Sequence, residues 1–275
     1  MLILIRVRAQ HPGAATLTAK PISRSTFVNC AGAPVTYWID LLDTRLKRTM
    51  AEVKIKTTTG KASVDQAAKL YKDAFRDDPV IAYMLCNLTR EELHTYLYKW
   101  MTCLMIASAM NGGVFDETED FSSCLVTIPP GERPDNVWTW IPAGMIGFVA
   151  KLGLGGFRRM LLEFEPKTDA MKRKAFGKSK KFWYVFFNAT REDCRGRGLS
   201  TALMQKAQER AAKDCVPLWL EATTAKSTKL YLKLGFEVVD SILLGEGQVD
   251  SEGKKQAGGD GVPVRGMVWW PPKTA

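Results

Sequence analysis

The residues best placed to do chemistry lie between Cys194 and Met204, in the order Cys-Arg-Gly-Arg-Gly-Leu-Ser-Thr-Ala-Leu-Met. They follow the apolar run Phe182–Phe187 and precede apolar residues at helical spacing, Leu203, Ala207 and Ala211. Strand, glycine-rich turn and helix in that order aim free backbone N–H groups at one point, with the positive end of a helix dipole behind them. Such a unit suits a phosphate-bearing ligand. Gly196 and Gly198 permit positive φ and close approach of the backbone to oxygen atoms, and Arg195 and Arg197 add charge. Cys194 adjoins the turn, but with no histidine nearby to activate it the thiol reads as incidental.

Three phosphate-binding patterns compete for this turn. A Walker loop, G-x-x-x-x-G-K-[ST], does not occur in the chain. The dinucleotide fingerprint G-x-G-x-x-G fails because Thr201 stands at the third glycine, and Glu221 falls in the next strand rather than beside a ribose. What remains is R-x-x-G-x-[G/A], filled by Arg195 to Ser200 with serine in the last place.

The elements that must position this turn are readable around it. Val53–Thr59 alternates like a strand. Ser63 and Gln66 read as a capping box for a helix carrying Val64, Ala67, Ala68, Tyr71, Ala74 and Phe75, which Asp77-Asp78-Pro79 stops. Thr89 and Glu92 form a second capping box, opening a helix with a long apolar stripe that Gly112-Gly113 ends. Val114–Glu117 and Ser123–Ile128 read as a hairpin whose acidic residues Asp116, Glu117, Glu119 and Asp120 form a solvated turn. Residues 133–177 are expected to be helices and loops covering a site. The lysine- and arginine-rich stretch Met171–Lys181 is expected to be a solvated surface. Beyond the turn come a strand over Val216–Ala222, a short helix over Ser227–Leu234 with Gly235 at its C-cap, and two antiparallel strands, Phe236–Leu244 and Val264–Trp270. A mobile polar linker, 245–261, is expected between them. The expectation is a mixed α/β fold.

Tyr184–Thr190, Leu218–Thr224 and Leu230–Phe236 flank the turn at tight spacing, and together with it resemble the GNAT superfamily of acyl-CoA N-acyltransferases, most closely its fungal and puromycin N-acetyltransferase-like branch. The resemblance is specific over about 180–245, fainter over 55–135 and absent before Met50. It implies a single GNAT-type domain, a mostly antiparallel sheet flanked by helices, with central strands that splay to admit acyl-CoA. It also implies that the backbone of Asn188, Ala189 and Thr190 pairs with the pantetheine arm, and that the amides of Arg195, Gly196, Arg197, Gly198, Leu199, Ser200 and Thr201 cradle the pyrophosphate. Ser227 takes the place of an asparagine that often contacts the cofactor. Asn188 replaces an aliphatic residue, and Ser200 replaces a Gly or Ala.

By the same resemblance, an amine attacks the thioester directly and Tyr231 protonates the leaving thiolate. Read from the residues alone, the alternative for Tyr231 is a core aromatic beside Leu230 and Leu234. Glu221, out of phase with Leu218 and Leu220, reads either as a base facing the notch or as half of an ion pair with a nearby Lys or Arg. Asp116 and Glu117 are weaker candidates for the base. The implied function is acetyl transfer from acetyl-CoA to a small-molecule amine, suited to detoxification or secondary metabolism. The alternatives are a protein lysine or N-terminal acetyltransferase and a catalytically silent acyl-CoA sensor.

Bulk properties bound these readings. The 275 residues carry 39 basic and 29 acidic groups, a net +10. Half of that surplus sits in residues 1–49, so the remainder is only mildly basic, which fits a phosphorylated cofactor and argues weakly for nucleic acid. Residues 1–39 hold four basic residues and no acid. They resemble a mitochondrial presequence, the other reading being a poorly structured leader ahead of a domain spanning 50–275. The six cysteines are scattered and the histidines are only His11 and His94, so neither a disulfide framework nor a metal site is expected and a reduced cytoplasmic setting fits. No apolar run is long enough for a bilayer; the nearest, Met145–Phe157, is broken by Lys151 and four glycines. Either a monomer or a homodimer is compatible with the sequence.

Overall fold

In a computed structural model, residues 53–272 are described, apart from 135, 146, 148–152, 154 and 157. The expected leader, residues 1–49, lies outside them.

Seven strands form one sheet in the order β1-β2-β3-β4-β5-β7-β6. They are β1 (Ile55–Thr59), β2 (Val114–Thr118), β3 (Ser123–Ile128), β4 (Trp183–Thr190), β5 (Leu218–Ala222), β6 (Glu237–Leu244) and β7 (Val262–Trp269). Neighbours run antiparallel except β4 and β5, which are parallel. Parallel neighbours need a crossover, and the helix after the glycine-rich turn supplies it. Among the described residues, the helices that flank the sheet are α1 (Val64–Ala74), α2 (Pro79–Met84), α3 (Arg90–Met110), α4 (Glu165–Phe176), α5 (Leu199–Lys213) and α6 (Ala225–Lys233). A single helical turn at Val137–Trp140 and a π-helical stretch, Arg158–Phe164, lie between β3 and α4.

The core divides by face. Trp219, Phe187 and Ala189 pack with α1, α2 and α3 on one side, and Trp183, Val185, Leu218 and Leu220 pack with α5 on the other. On α5 the buried residues Leu199, Ala202, Leu203, Met204, Ala207 and Ala211 form the stripe that the spacing predicts.

Several local expectations change. Thr89 and Glu92 do form a capping box on α3, but the Ser63 hydroxyl hydrogen-bonds Thr58 Oγ1 at 2.5 Å, and a 3-10 turn rather than a capping box leads into α1. Asp116 and Glu117 are not in a solvated turn. They lie in β2 and are buried, because Asp116 accepts hydrogen bonds from Thr57 Oγ1 at 2.6 Å and from Arg210 Nη2 at 2.8 and 2.9 Å, and Glu117 accepts one from the Phe121 amide at 3.1 Å. Residues 245–261 are not a loose linker, for Gly247 N–H donates to Gly259, Gln256 N–H donates to Gln248, and Val249 is in the core.

The feature that sets the site is a β-bulge in β4. Val126 of β3 pairs with Phe187 but Thr127 pairs with Val185, so Phe186 is the extra residue. Side chains in a strand alternate faces, and one extra residue reverses the phase. Trp183 and Val185 therefore face α5, whereas Phe187 and Ala189 face α1 and α3. Asn188, instead of Phe187, falls on the α5 side.

Candidate active site

β4 and β5 pair only at Trp183–Leu218 and Tyr184–Trp219. Past Tyr184 they part, which leaves the edge of β4 from Val185 to Thr190 without a β5 partner. In parallel α/β arrangements, ligands bind at the carboxyl ends of strands where neighbours diverge. Here a cleft of about 970 Å³ occupies that opening. It runs from the turn at Arg195–Thr201, past Asn188–Thr190 and Tyr231, to walls supplied by α1, α3 and the segment before α4.

The turn has the geometry expected of it. Gly196 and Gly198 both have φ +81°, in the left-handed region where a side chain would be strained. Gly198 is the N-cap of α5, and no described side chain caps that helix start. The amides of its first turn are thus free to meet an anion. A strand edge without a partner for a peptide-like arm, joined to uncapped amides for a pyrophosphate, fits acyl-CoA. Asn188, Ala189, Thr190, Arg195, Gly196, Gly198, Leu199, Ser200, Thr201 and Ser227 all line the cleft. Arg197 does not; its guanidinium pairs with Glu119 of the β2–β3 turn at 2.7 Å. Arg195 stays by the turn, where its Nε donates to the Thr190 carbonyl at 3.4 Å. Ser227 is engaged in a capping box with Thr224 at the start of α6. Cys194 is buried, with Arg191 Nη2 at 3.3 Å from its sulfur.

Tyr231, on α6, is buried against Phe236, lines the cleft, and accepts a hydrogen bond at its hydroxyl from Asn188 Nδ2 at 3.4 Å. Burial pushes its pKa up, against a hydrogen bond from Asn188, so the phenol keeps its proton at neutral pH. Glu221, on β5, also lines the cleft and at the same time forms the ion pair that the sequence left open. Its Oε1 is 3.3 Å from Lys172 Nζ and accepts a hydrogen bond from Trp219 Nε1 at 2.8 Å. Lys172 is thereby drawn out of the expected solvated basic surface; its side chain is 18% exposed and lies 4.6 Å from the Tyr184 ring centre. Burial would pull the Lys172 pKa down, but Glu221, Glu165 and Asp169 more than offset it and the pKa is raised. Asp116 and Glu117 do not line the cleft, being held at the α5 side of β2 and within the β2–β3 hairpin.

Sequence reasoning missed Asp78. It read as part of a helix stop, yet it caps α2: Oδ1 accepts from the Val80 amide at 2.9 Å and the Ile81 amide at 3.2 Å, and Oδ2 accepts from Thr223 Oγ1 at 2.6 Å. Asp78 is 8% exposed and lines the cleft. Burial raises its pKa, against those three hydrogen bonds. The available signal was the Asp-Pro pair itself, an N-cap followed by proline at the first helical position.

The cleft is also lined by Trp100 and Leu104 of α3 and by Pro134, Trp140, Met160 and Phe164. The last four come from the 133–177 segment, which does lie over the site where it is described. Among the described residues no cluster of His, Cys, Asp and Glu could hold a metal ion, and no helix is long and apolar enough to cross a membrane.

Residues 116–236 match the family model described as the acetyltransferase (GNAT) family. An uncharacterized N-acetyltransferase of Schizosaccharomyces pombe is 26% identical over 184 residues, which is 65% of this chain and 72% of the relative. Among solved structures, a Corynebacterium glutamicum protein described as histone acetyltransferase HPA2 and related acetyltransferase superposes with a TM-score of 0.51 at 18% identity, over 81% of this chain and 98% of its own. A Drosophila melanogaster polyamine N-acetyltransferase that forms N-acetylagmatine superposes with a TM-score of 0.52 at 15% identity, over 79% of this chain and 100% of its own. The two structures share the fold with this chain.

Proposed function

We propose that this chain is a GNAT-type N-acetyltransferase, a reading supported by the family-model match over residues 116–236, and that it transfers the acetyl group of acetyl-CoA to a small-molecule amine by direct attack in a ternary complex. The observation that carries this reading is the continuity of the cleft. One cavity joins the uncapped first turn of α5, the open edge of β4, Tyr231, and the carboxylate residues Asp78 and Glu221.

Acetyl-CoA supplies an activated acyl group and a good leaving group. The amides from Gly196 to Thr201 and the Arg195 side chain hold its pyrophosphate, and the backbone of Asn188–Thr190 aligns its pantetheine arm. The acceptor must lose a proton before its nitrogen can attack. Asp78 suits that task because its three partners are neutral donors and burial has made it more basic than an ordinary carboxylate. Glu221 lines the same cleft in its ion pair with Lys172. Tyr231 gives its proton to the departing sulfur, a modest demand for a thiol of pKa about 8.5.

A small acceptor is favoured by the lining that Pro134, Trp140, Met160 and Phe164 add to the cleft, and by the amine named for the Drosophila structure. Calorimetry with acetyl-CoA followed by a thiol-release assay over polyamines, arylalkylamines and lysine peptides tests the reading. Micromolar binding with turnover on a small amine supports it. Turnover on peptides alone would replace it with a protein acetyltransferase. Binding without turnover on any amine would replace it with an acyl-CoA sensor.

A further inference from the structure

The bulge at Phe186 places Asn188 where the side chains at the two ends of the cofactor site meet. Its Nδ2 lies 2.9 Å from Ser200 Oγ and 3.4 Å from the Tyr231 hydroxyl, and its Oδ1 lies 3.2 Å from Ser200 Oγ. Ser200 belongs to the first turn of α5 and Tyr231 to α6, so one side chain on β4 bridges both helices. Two residues that depart from the family pattern, Asn188 and Ser200, are thus hydrogen-bonded to each other.

We propose that Asn188 is a positioning residue for the proton donor: it holds the Tyr231 hydroxyl with its proton toward the cleft and ties that hydroxyl, through Ser200, to the helix start at the phosphate turn. The inference rests on the function proposed above, in which Tyr231 protonates the leaving sulfur. The amide nitrogen has two hydrogens and no acceptor capacity. One hydrogen is directed to Ser200 Oγ and the other to the Tyr231 oxygen. In the second contact the phenol oxygen can only accept, so its own O–H must point elsewhere. The ring of Tyr231 packs on Phe236, and Tyr231 is among the residues lining the cleft, the side toward which the proposal directs that proton. Ser200 Oγ, meanwhile, donates to Asn188 Oδ1, which fixes the amide in the orientation that offers N–H to Tyr231.

The same contact serves the transfer itself. As the thioester C–S bond breaks, its electron pair stays on sulfur, the Tyr231 O–H bond breaks and an S–H bond forms. The phenolate left behind accepts the Asn188 N–H, a hydrogen bond that strengthens when its acceptor is charged. Water returns the proton, matching the one lost by the amine. Because Ser200 sits in the turn that would bind the pyrophosphate, ordering of that turn by the cofactor and orientation of the acid are linked through one amide.

Asn188→Asp is the sharpest test, since it keeps the size and shape of the side chain but replaces the donor with an acceptor that would capture the Tyr231 proton. The full chain would be compared with Asn188→Asp, Tyr231→Phe and the double variant. The measurements are acetyl-CoA affinity by calorimetry and single-turnover acetylation of an amine the wild type accepts. Expected is a loss of about tenfold or more in the single-turnover rate for Asn188→Asp. With acetyl-CoA saturating for each variant, as its calorimetric affinity dictates, adding Asn188→Asp to Tyr231→Phe should cost nothing further in the single-turnover rate. Rate losses that multiply in the double variant, or an unchanged rate in the single variant, overturn the inference. If Asn188→Asp does not fold, Asn188→Leu carries the same expectation of non-additivity. Should the wild type bind acetyl-CoA yet acetylate no amine, the proposed function falls and this inference with it. A working wild type with an additive cycle sinks the inference alone.

Discussion

Replacing Asp78 by asparagine separates a chemical role from a structural one. Asp78 is the N-cap of α2, and asparagine caps a helix about as well as aspartate, so the bonds from the Val80 and Ile81 amides survive on the amide oxygen. The bond to Thr223 survives with reversed polarity, the new amide donating to the hydroxyl that now donates to Oδ2. What disappears is the basic oxygen. If Asp78 takes the proton from the acceptor, its removal lowers kcat by about 10²–10⁴-fold, the usual range for a positioned general base.

The fold should gain where the chemistry loses. Burial raises the folded pKa of Asp78 above the ordinary aspartate value. For a carboxyl so shifted, the folded state holds the proton more tightly than the unfolded chain. The associated stability is full below the unfolded pKa and is lost as pH rises through the folded one. At neutral pH the ionised carboxylate is therefore a net cost, and a neutral asparagine removes it. The melting temperature of Asp78→Asn should equal or exceed that of the wild type. The acid limb of the wild-type kcat/KM profile should lie above the ordinary aspartate range and vanish in the variant. A thiol-release assay against pH with the amine varied from below KM to saturation, together with a thermal melt, reads all three quantities. Activity within about threefold of wild type with the acid limb intact would refute the base assignment. Glu221→Gln under the same conditions would then be the variant expected to flatten that limb, the role the sequence first suggested for Glu221.

Three further outcomes follow from the geometry. Arg210→Ala strands Asp116, fully buried, without its bidentate partner; the loss should be about 3–5 kcal/mol, seen as a fall in melting temperature on the order of 10 °C. Gly198→Ala meets no atom within 4 Å but must hold φ +81°, a strain of about 1–2 kcal/mol. Calorimetry should show acetyl-CoA affinity falling about tenfold, as the turn relaxes and its amides lose their aim. Arg195→Ala should weaken acetyl-CoA binding more than Arg197→Ala, because Arg197 is committed to Glu119 while Arg195 lines the cleft; the reverse order in titrations would show that the Arg197–Glu119 pair opens for the cofactor.

What could be read in the sequence was whatever depends on local pattern. The hairpin reading placed β3 at Ser123–Ile128, the apolar spacing of α5 matched its buried stripe, and glycine spacing anticipated two left-handed residues at the helix start. The ion pairs were opaque because their partners are distant in the chain. Asp116 and Arg210 lie on different elements 94 positions apart, so an acidic residue in β2 looked like part of a solvated turn. Lys172 and Glu221 repeat the lesson at the cleft. One sat in a basic run that reads as surface, the other in a strand that reads as core, and each is explained only by the other.

The bulge shows why the acid end of the site was harder still. Phe186 and Phe187 are both aromatic, so no break in hydropathy marks which of them is the extra residue. Counting strictly by two from Trp183 puts Phe187 on the α5 face and turns Asn188 away from Tyr231. The structure has the opposite arrangement, with Phe187 packed on Tyr71 and Phe75 and Asn188 on Ser200. A bulge also bends the strand that carries it, and this one lies just past the last β4–β5 pair, at Tyr184 and Trp219. The residue that sends Asn188 toward Tyr231 therefore sits where the two strands begin to part. The opening for the acyl donor and the orientation of the group that would protonate its sulfur thus share one local feature, and a deletion that removed Phe186 would disturb both together.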